Sequence, residues 1–276
     1  MKNLNLRNIL HLLILLSFIG CKTEHKKTNY LIALGLNGNV KSIVELSYPQ
    51  LSKKWNNKDT EYLFNKKGFV LKKINYRKNN YTIYNYNENE NLINSNVYSL
   101  NDSLLFTSDL EYNTNNELVK LKVFNSEKKI AYYTIYEYSK TSNDNVLVTE
   151  KEYDSNDRLT NHTSKVLNSK KEVILRNIYN LKSKKISSND LSYNQNEKLI
   201  ESIKYDSLKN IKWKLKMSYN SNNLESEKRL YIPKIKKENI WKIEYEFDNR
   251  NNWVKKYLIE NKDTVKTIER KIIYFE

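Results

Sequence analysis

The chain contains few of the residues on which metal, thiol and disulfide chemistry depends. Its 276 residues include one cysteine, three histidines, four glycines and two prolines. A single cysteine excludes an internal disulfide and a thiolate zinc site. His11, His25 and His162 are too scattered to form a ligand motif, so we expect no metal. The sequence has no glycine-rich phosphate loop and no Gly-x-Ser-x-Gly elbow, and we expect no cofactor.

Long apolar runs are also absent, apart from one near the start. Two basic residues precede an almost wholly apolar stretch, 9–19, which leads to Gly20 and Cys21. The stretch has the length of a signal-peptide core and is too short to span a bilayer as a helix. A small residue directly before the only cysteine is typical of a bacterial lipobox, although Phe18 stands where leucine is usual. We therefore expect residues 1–20 to be a lipoprotein signal peptide; an ordinary cleaved signal with an unrelated cysteine is the alternative.

This interpretation makes Cys21 the lipidated first residue of the mature protein, carrying acyl chains such as palmitate. Residues 21–37, polar at first and mildly apolar later, are predicted to be a tether that holds the protein clear of the bilayer. Export to the outer surface would lead us to expect an acidic run directly after Cys21. The sequence lacks such a run, which favours an outer-membrane anchor facing the periplasm. The remainder, 38–276, is predicted to form one repeat domain.

A short motif recurs through that domain. It consists of an aromatic residue, a polar turn that usually opens with an Asx residue, and an apolar residue six places after the aromatic. The units lie at 64–70, 86–92, 112–118, 153–159, 193–199 and 247–253, with one a residue shorter at 219–224. Between the turns, apolar and polar residues alternate. From Ile211 to Tyr219 the apolar set, including Trp213, Leu215 and Met217, shares one face and lysines occupy the other.

These features predict an all-β fold, an antiparallel meander of tandem hairpins with about 17 strands of about eight residues. A sheet of that size curls, so we expect one large curled sheet with aromatic residues inside and lysines outside. Partial closure of the sheet stays open, and two stacked sheets are the second alternative. The unit at 153–159 falls, by strand count, on the opposite edge from its relatives, which indicates either a miscounted strand or a change of phase.

The turns need a residue with positive φ, and four glycines cannot supply it everywhere. Four units place a suitable residue four positions after the aromatic: Gly68, Asn116, Asp157 and Asn251. Glu90 and Glu197 occupy the same position and are unsuited to it. There we expect the bend to shift onto Asn89 or Asn91, and onto Asn196.

The repeated unit resembles the YD repeats of Rhs-like proteins, which read Tyr-Asp, two variable residues, Gly, one variable residue and Leu. The likeness covers most of the chain from about Phe64 onward. The aspartate stands only at Asp154 and Asp248, and the glycine only at Gly68. Long toxin-carrying members end in a cleaved C-terminal effector, which this sequence does not show. The resemblance implies a β-meander scaffold and does not imply a toxin.

The formal net charge of +16 raises the question of nucleic-acid binding. The lysines are spread over every predicted strand, as on a solvated outer face, so we expect no nucleic acid. Two carboxylate pairs, Glu150 with Glu152 and Glu244 with Glu246, each share a strand face. Because they alternate among lysines, we expect them on the outer polar face in cross-strand ion pairs, without a catalytic role.

The sequence thus favours a non-enzymatic cell-envelope lipoprotein that serves as a binding or scaffold module of unknown ligand. Its predicted partners are the lipid bilayer, through Cys21, and a polysaccharide or envelope protein. Trp213, Trp241 and Trp253 are expected to pack on the sheet, with any exposed ring available to a sugar or an apolar peptide. One alternative is an envelope enzyme acting on glycans, with two carboxylates converging in a concave aromatic site. The other is an outer-membrane β-barrel with an apolar outer belt.

Overall fold

The computed structural model describes residues 30–49 and 58–276, without the side chains of Ile32, Ala33 and Pro49. Cys21 and the predicted signal peptide lie outside the described residues. The described chain forms one short helix, α1 (Tyr30–Ala33), eighteen strands and a 3-10 turn, Pro233–Ile235. No helix of the described chain is long and apolar enough to cross a membrane.

The strands are β1 (Val40–Pro49), β2 (Lys58–Phe64), β3 (Val70–Asn75), β4 (Asn80–Tyr86), β5 (Leu92–Ser99), β6 (Leu104–Tyr112), β7 (Leu118–Asn125), β8 (Ile130–Lys140), β9 (Val146–Asp154), β10 (Leu159–Leu167), β11 (Val173–Tyr179), β12 (Lys185–Tyr193), β13 (Leu199–Asp206), β14 (Ile211–Tyr219), β15 (Glu225–Ile232), β16 (Lys237–Phe247), β17 (Trp253–Glu260) and β18 (Asp263–Tyr274).

The strands form a closed ring. Each strand pairs antiparallel with the next one along the chain, and β18 pairs with β1. In that last pairing Val40 lies opposite Tyr274 and Ile43 opposite Ile272. The sheet is therefore an 18-stranded up-and-down barrel. The predicted all-β meander of tandem hairpins is confirmed, its closure is complete, and it has one strand more than predicted.

The turns collect at two rims, because successive strands run in opposite directions. The terminal rim, where β1 begins and β18 ends, carries the turns at 65–69, 87–91, 113–117, 141–145, 168–172, 194–198, 220–224 and 248–252. The distal rim carries the described turns at 76–79, 100–103, 126–129, 155–158, 180–184, 207–210, 233–236 and 261–262. The turn at 155–158 is thus opposite its relatives, and the repeat changes phase there.

Most of the turns share one hydrogen-bonding scheme. In the turn at 113–117, Oδ1 of Asn113 accepts hydrogen bonds from the backbone amides of Asn115 and Glu117, at 3.0 and 2.9 Å. The fourth residue of that turn, Asn116, has φ 58°. The Asx side chain at the first position holds the amides of the third and fifth residues. The fourth residue therefore adopts the left-handed conformation whatever its side chain.

Two expectations about the turns are corrected by this scheme. The bend does not shift in the two glutamate-bearing turns, since Glu90 and Glu197 themselves have φ 60° and 58°. The unit at 219–224 is not shortened either. The amide of Asn220 donates to the carbonyl of Leu224, so this turn has the usual five residues and Leu224 belongs to it. Glu225 then takes the first strand position.

The aromatic residues alternate between the inside and the outside of the wall. At the terminal rim, tyrosines face inward and donate a hydrogen bond to the first carbonyl of an earlier strand. Tyr112 bonds Leu92 at 2.9 Å and Tyr138 bonds Leu118 at 3.0 Å. The same bond is made by Tyr86, Tyr193, Tyr219 and Tyr245. At the distal ends of the odd-numbered strands the aromatics face outward instead, as with Tyr98, Phe124, Tyr153, Tyr179, Tyr205 and Tyr231. The expectation that the aromatics lie inside holds for only one of these two sets.

Candidate functional site in the barrel interior

One half of the barrel interior is closely packed. Along β4 to β9, the inward side chains of Tyr84, Val97, Val123 and Val148 are buried. Val123 and Val148 belong to a cluster that Leu110 and two further residues complete. An eight-stranded barrel is just wide enough for its side chains to fill, so an 18-stranded ring can pack this way only where opposite walls approach or another segment enters.

The other half is less closely packed. Trp213, Leu215 and Met217 of β14, Leu230 of β15 and Trp241 of β16 share the inner face and remain partly exposed to solvent. The predicted shared face of β14 is therefore confirmed from Trp213 to Tyr219, with Lys216 exposed on the other side. Ile211 departs from it: beyond a register shift it lies opposite the outward Tyr205 and is exposed. The inner side chains of this face are half-buried.

The segment that precedes β1 fills part of the interior. Leu31 and Leu36 belong to one buried cluster with Ile43 and Phe64. Tyr30 lies beside the inward tyrosines of β2 and β4, and burial raises the pKa of its phenol far above the usual value. Residues 30–37, the last part of the predicted tether, thus form what we call the inner segment.

Polar contacts at the terminal rim hold the inner segment in place. The amide of Asn37 donates to Oδ1 of the fully buried Asn252 at 2.6 Å, and Asn252 donates back to the carbonyl of Asn37 at 3.0 Å. Gly35 has φ 66°, and a Cβ at this position would lie 3.3 Å from Leu224. A side chain there would be strained and crowded, so the segment requires glycine at this point.

Arg270 links the inner segment to the closing strands. Its guanidinium bonds Glu45 of β1 at 3.0 Å and the carbonyl of Leu34 at 3.2 Å. It also lies 3.4 Å from the ring centre of Trp253, a cation–π contact. Burial lowers the pKa of Arg270, and Glu45 opposes that change. One cation therefore connects β18, β1, β17 and the inner segment.

A second buried ion pair lies between β9 and β10. Lys165 is 1% exposed and forms an ion pair with Glu150, which also accepts a hydrogen bond from Thr163 at 2.8 Å. Burial lowers the pKa of Lys165 to about 8, although the carboxylate opposes the shift. Glu152 accepts a hydrogen bond from Thr160 at 2.7 Å.

The predicted position of Glu150 and Glu152 is therefore wrong. Both lie on the inner face, opposite Tyr136 and Thr134 of β8, because strand periodicity fixes which residues share a face but not which face is inside. Glu244 and Glu246 do lie outside as predicted, where Glu246 is 3.8 Å from Lys255. His162 stacks on Tyr179 at 4.4 Å. No group of three metal-binding side chains occurs among the described residues.

Lysines lie next to the aromatic residues in the less closely packed half. Lys204 is paired with Trp213, Lys228 with Trp241 and Lys256 with Tyr245 on neighbouring strands. The only acid bonded to this group within the described chain is Glu225, 2.9 Å from Lys228 and 3.6 Å from Lys256. Burial lowers the pKa of Lys256. This side of the interior is consequently apolar and basic, a combination suited to an amphipathic anion.

Sequence reasoning did not identify the interior cations. Lys256 and Arg270 interrupt an inward apolar series, next to Leu258 in one case and between Ile268 and Ile272 in the other. Lys204 follows the polar phase of β13 and gives no such signal, and Lys165 and Lys228 lie in strands without regular alternation. The interruption at Lys256 and Arg270 was the available signal. Lysine abundance concealed it, because lysines also cover the outer face.

Comparison with known proteins yields only remote similarity. No protein-family model matches the sequence, and no curated protein matches it significantly. A porin-like protein from Bacteroides vulgatus is 9% identical, with a TM-score of 0.37 over 87% of this chain and 99% of that chain. One from Bacteroides uniformis is 10% identical, with a TM-score of 0.33 over 85% and 98%. TcdB2-TccC3 without its hypervariable C-terminal region is 10% identical, with a TM-score of 0.26 over 73% of this chain and 12% of that chain. Values this low support no statement about the function of this chain.

The buried pair gives a testable prediction. Lys165→Met should lower the free energy of unfolding by about 3–5 kcal/mol, because it leaves the Glu150 carboxylate buried without its partner. The double variant Glu150→Leu/Lys165→Met should recover most of that loss. Urea unfolding followed by circular dichroism measures all three proteins.

The matched control is the half-exposed outer pair Lys214 and Glu201, 2.8 Å apart. Lys214→Met should cost less than about 1 kcal/mol, because solvent screens such a pair. Equal losses for Lys165→Met and Lys214→Met would show that the interior pair is not desolvated and would contradict the described packing.

Proposed function

We propose that this chain is a lipid-anchored β-barrel of the bacterial cell envelope that binds an amphipathic anion in its interior and catalyses no reaction. The observation that carries the proposal is the half-exposed inner face around Trp213, Leu215 and Trp241, with Lys204 and Lys228 paired beside it. Apolar side chains bury an acyl chain or similar body, and the lysines attract its charged end. An acidic glycolipid, a fatty acid or an acidic saccharide with an apolar group has this chemistry.

The chemistry of the outer wall supports a barrel that stands in water. Lys122, Lys151 and Lys214 lie near the middle of their strands and form ion pairs on the outer face, with Glu111 at 2.6 Å, Glu137 at 3.1 Å and Glu201 at 2.8 Å. Charged residues at the middle of a lipid-facing wall cost about 2–4 kcal/mol for each Lys or Arg. A water-facing wall has no such cost. This supports our proposal that Cys21, and not the barrel wall, attaches the protein to the membrane. The proposed location, on the outer membrane and facing the periplasm, depends on the sequence that follows Cys21.

The contacts of the interior carboxylates support a binding role over glycan hydrolysis. Glu150 is engaged by Lys165 and Thr163, and Glu152 by Thr160. Glycan hydrolysis needs two carboxylates free to face the substrate, whereas these two are bonded to side chains of β10. The relation to YD-repeat proteins stays part of this proposal; a scaffold of tandem hairpins is what that resemblance implies.

Energy transfer from tryptophan tests the interior site. Trp213, Trp241 and Trp253 all lie on the inner face, so we use the full chain carrying Trp55→Phe and Cys21→Ser, which reports on the interior without detergent. Dansylundecanoic acid should bind with one saturable site and sensitised dansyl emission. Leu215→Glu should weaken binding at least tenfold, since it places a carboxylate in the apolar surface.

Its neighbour Lys214 supplies the control for that substitution. Lys214→Glu changes the outer face of the same strand and should leave the dissociation constant unchanged. Lys228→Met should weaken binding of the acid but not of its uncharged methyl ester. Absence of energy transfer, or equal effects of Leu215→Glu and Lys214→Glu, would refute an interior site.

A membrane-spanning barrel is the second candidate, favoured by the complete ring and by the outward aromatic residues near the distal rim. Cys21→Ser in the intact cell separates the two candidates. Under the lipoprotein proposal the variant loses palmitate labelling and leaves the membrane pellet on carbonate washing, while its circular dichroism stays that of folded β-sheet. A folded variant that remains in the pellet would favour the spanning barrel.

A further inference from the structure

The most exposed apolar side chains of the described protein are concentrated on one part of the distal rim. Leu208, Leu181 and Ile235 are 80%, 61% and 59% exposed, more than any other large apolar residue among those described. They lie in three successive distal-rim turns, which connect β11 to β12, β13 to β14 and β15 to β16. Neighbouring strands are about 4.8 Å apart, so these turns follow one another at about 10 Å along the rim.

The same turns carry several lysines that make no ion pair within the described chain. Eight exposed lysines lie in or beside them: Lys182, Lys184, Lys185, Lys209, Lys212, Lys234, Lys236 and Lys237. None of the eight forms an ion pair with any other described residue. In three other distal-rim turns a cation is paired with an acid: Arg77 with Asp59, Lys129 with Glu127 and Arg158 with Asp154. We call the surface formed by 180–186, 207–212 and 233–237 the basic rim patch.

The backbone of the patch is held in shape without a partner. Oδ1 of Asp206 accepts hydrogen bonds from the amides of Leu208 and Asn210, both at 2.9 Å. Oδ1 of Asn180 does the same for Lys182 and Lys184, at 3.0 and 2.9 Å. These bonds hold two of the apolar tips away from the wall, so binding at the patch requires little ordering of the loops.

Tyrosines mark the border between the patch and the charged wall. Tyr179, Tyr205 and Tyr231 are the last or next-to-last residues of the three strands that lead into these turns, and all three face outward. Tyrosine has an apolar ring and a polar hydroxyl, and it is enriched at the level of lipid headgroups for that reason.

We infer that the basic rim patch docks the barrel onto an anionic lipid bilayer. Leucine and isoleucine tips enter the acyl boundary while the lysines remain among the negatively charged headgroups. A second copy of the same patch would bring lysines against lysines, which disfavours self-association. A polyanion such as nucleic acid or acidic polysaccharide would satisfy the lysines but would leave Leu208, Leu181 and Ile235 in water. The inference is independent of the interior ligand.

Vesicle binding tests the inference. The full chain carrying Cys21→Ser removes any contribution from an acyl anchor. It should bind vesicles of 30% phosphatidylglycerol in phosphatidylcholine, more weakly at high salt, and should bind pure phosphatidylcholine vesicles at least tenfold less. Leu181→Ser/Leu208→Ser/Ile235→Ser should lower the partition coefficient at least tenfold. Lys184→Gln/Lys209→Gln/Lys234→Gln should lower it by about tenfold to a hundredfold.

The control replaces three exposed lysines in turns outside the patch, with Lys66→Gln/Lys128→Gln/Lys170→Gln. It has the same net charge as the patch lysine variant and should keep at least half of the original binding. Equal loss of vesicle binding in the patch and control lysine variants would show that binding depends on net charge alone, which would overturn the inference. So would retained binding after removal of the apolar tips, or binding to acidic polysaccharide without binding to vesicles. Circular dichroism melting of each variant confirms that the barrel is intact.

Discussion

The pairing of β1 with β18 is the constraint on which the rest of the structure depends. It joins the two ends of an 18-stranded meander, so every described strand has two partners and the sheet has an inside and an outside. A ring of this size is too wide for its own side chains to fill evenly. Part of the interior packs tightly along β4 to β9, the inner segment enters beside β1 to β4, and the region along β12 to β16 stays accessible.

The buried cations follow from the same geometry. Arg270 contacts Glu45, Trp253 and the inner segment at the place where the ring closes. Lys165 of β10 forms an ion pair with Glu150 of the neighbouring β9. Each ion is stabilised only because a carboxylate enters the interior with it. Charges in the interior therefore specify how the walls and the inner segment fit together, and the unpaired surplus of lysines gives the accessible half its basic character.

Much of the fold could be predicted from the sequence because it depends on local chemistry. Alternation predicted which side chains from Trp213 to Tyr219 share a face, and the aromatic spacing predicted the hairpins. Closure could not be predicted, since it depends on the twist summed over all strands. Nor could the inward direction of Glu150 and Glu152, because periodicity defines two faces without naming the inner one. The left-handed conformations of Glu90 and Glu197 were missed because each turn is determined by the asparagine three residues earlier, Asn87 or Asn194, and not by the glutamate itself.

The central claim is that the charged wall of this barrel is in water while its apolar surface faces inward. Spin-label accessibility in native membranes measures this directly. The lipidated chain with Lys122→Cys, Lys151→Cys or Lys214→Cys carries one free thiol halfway up the outer wall, and a nitroxide there can collide with oxygen or with a water-soluble nickel complex. The account predicts that the nickel complex dominates relaxation at all three positions. Dominance of oxygen at these positions would place the wall in lipid and contradict the account.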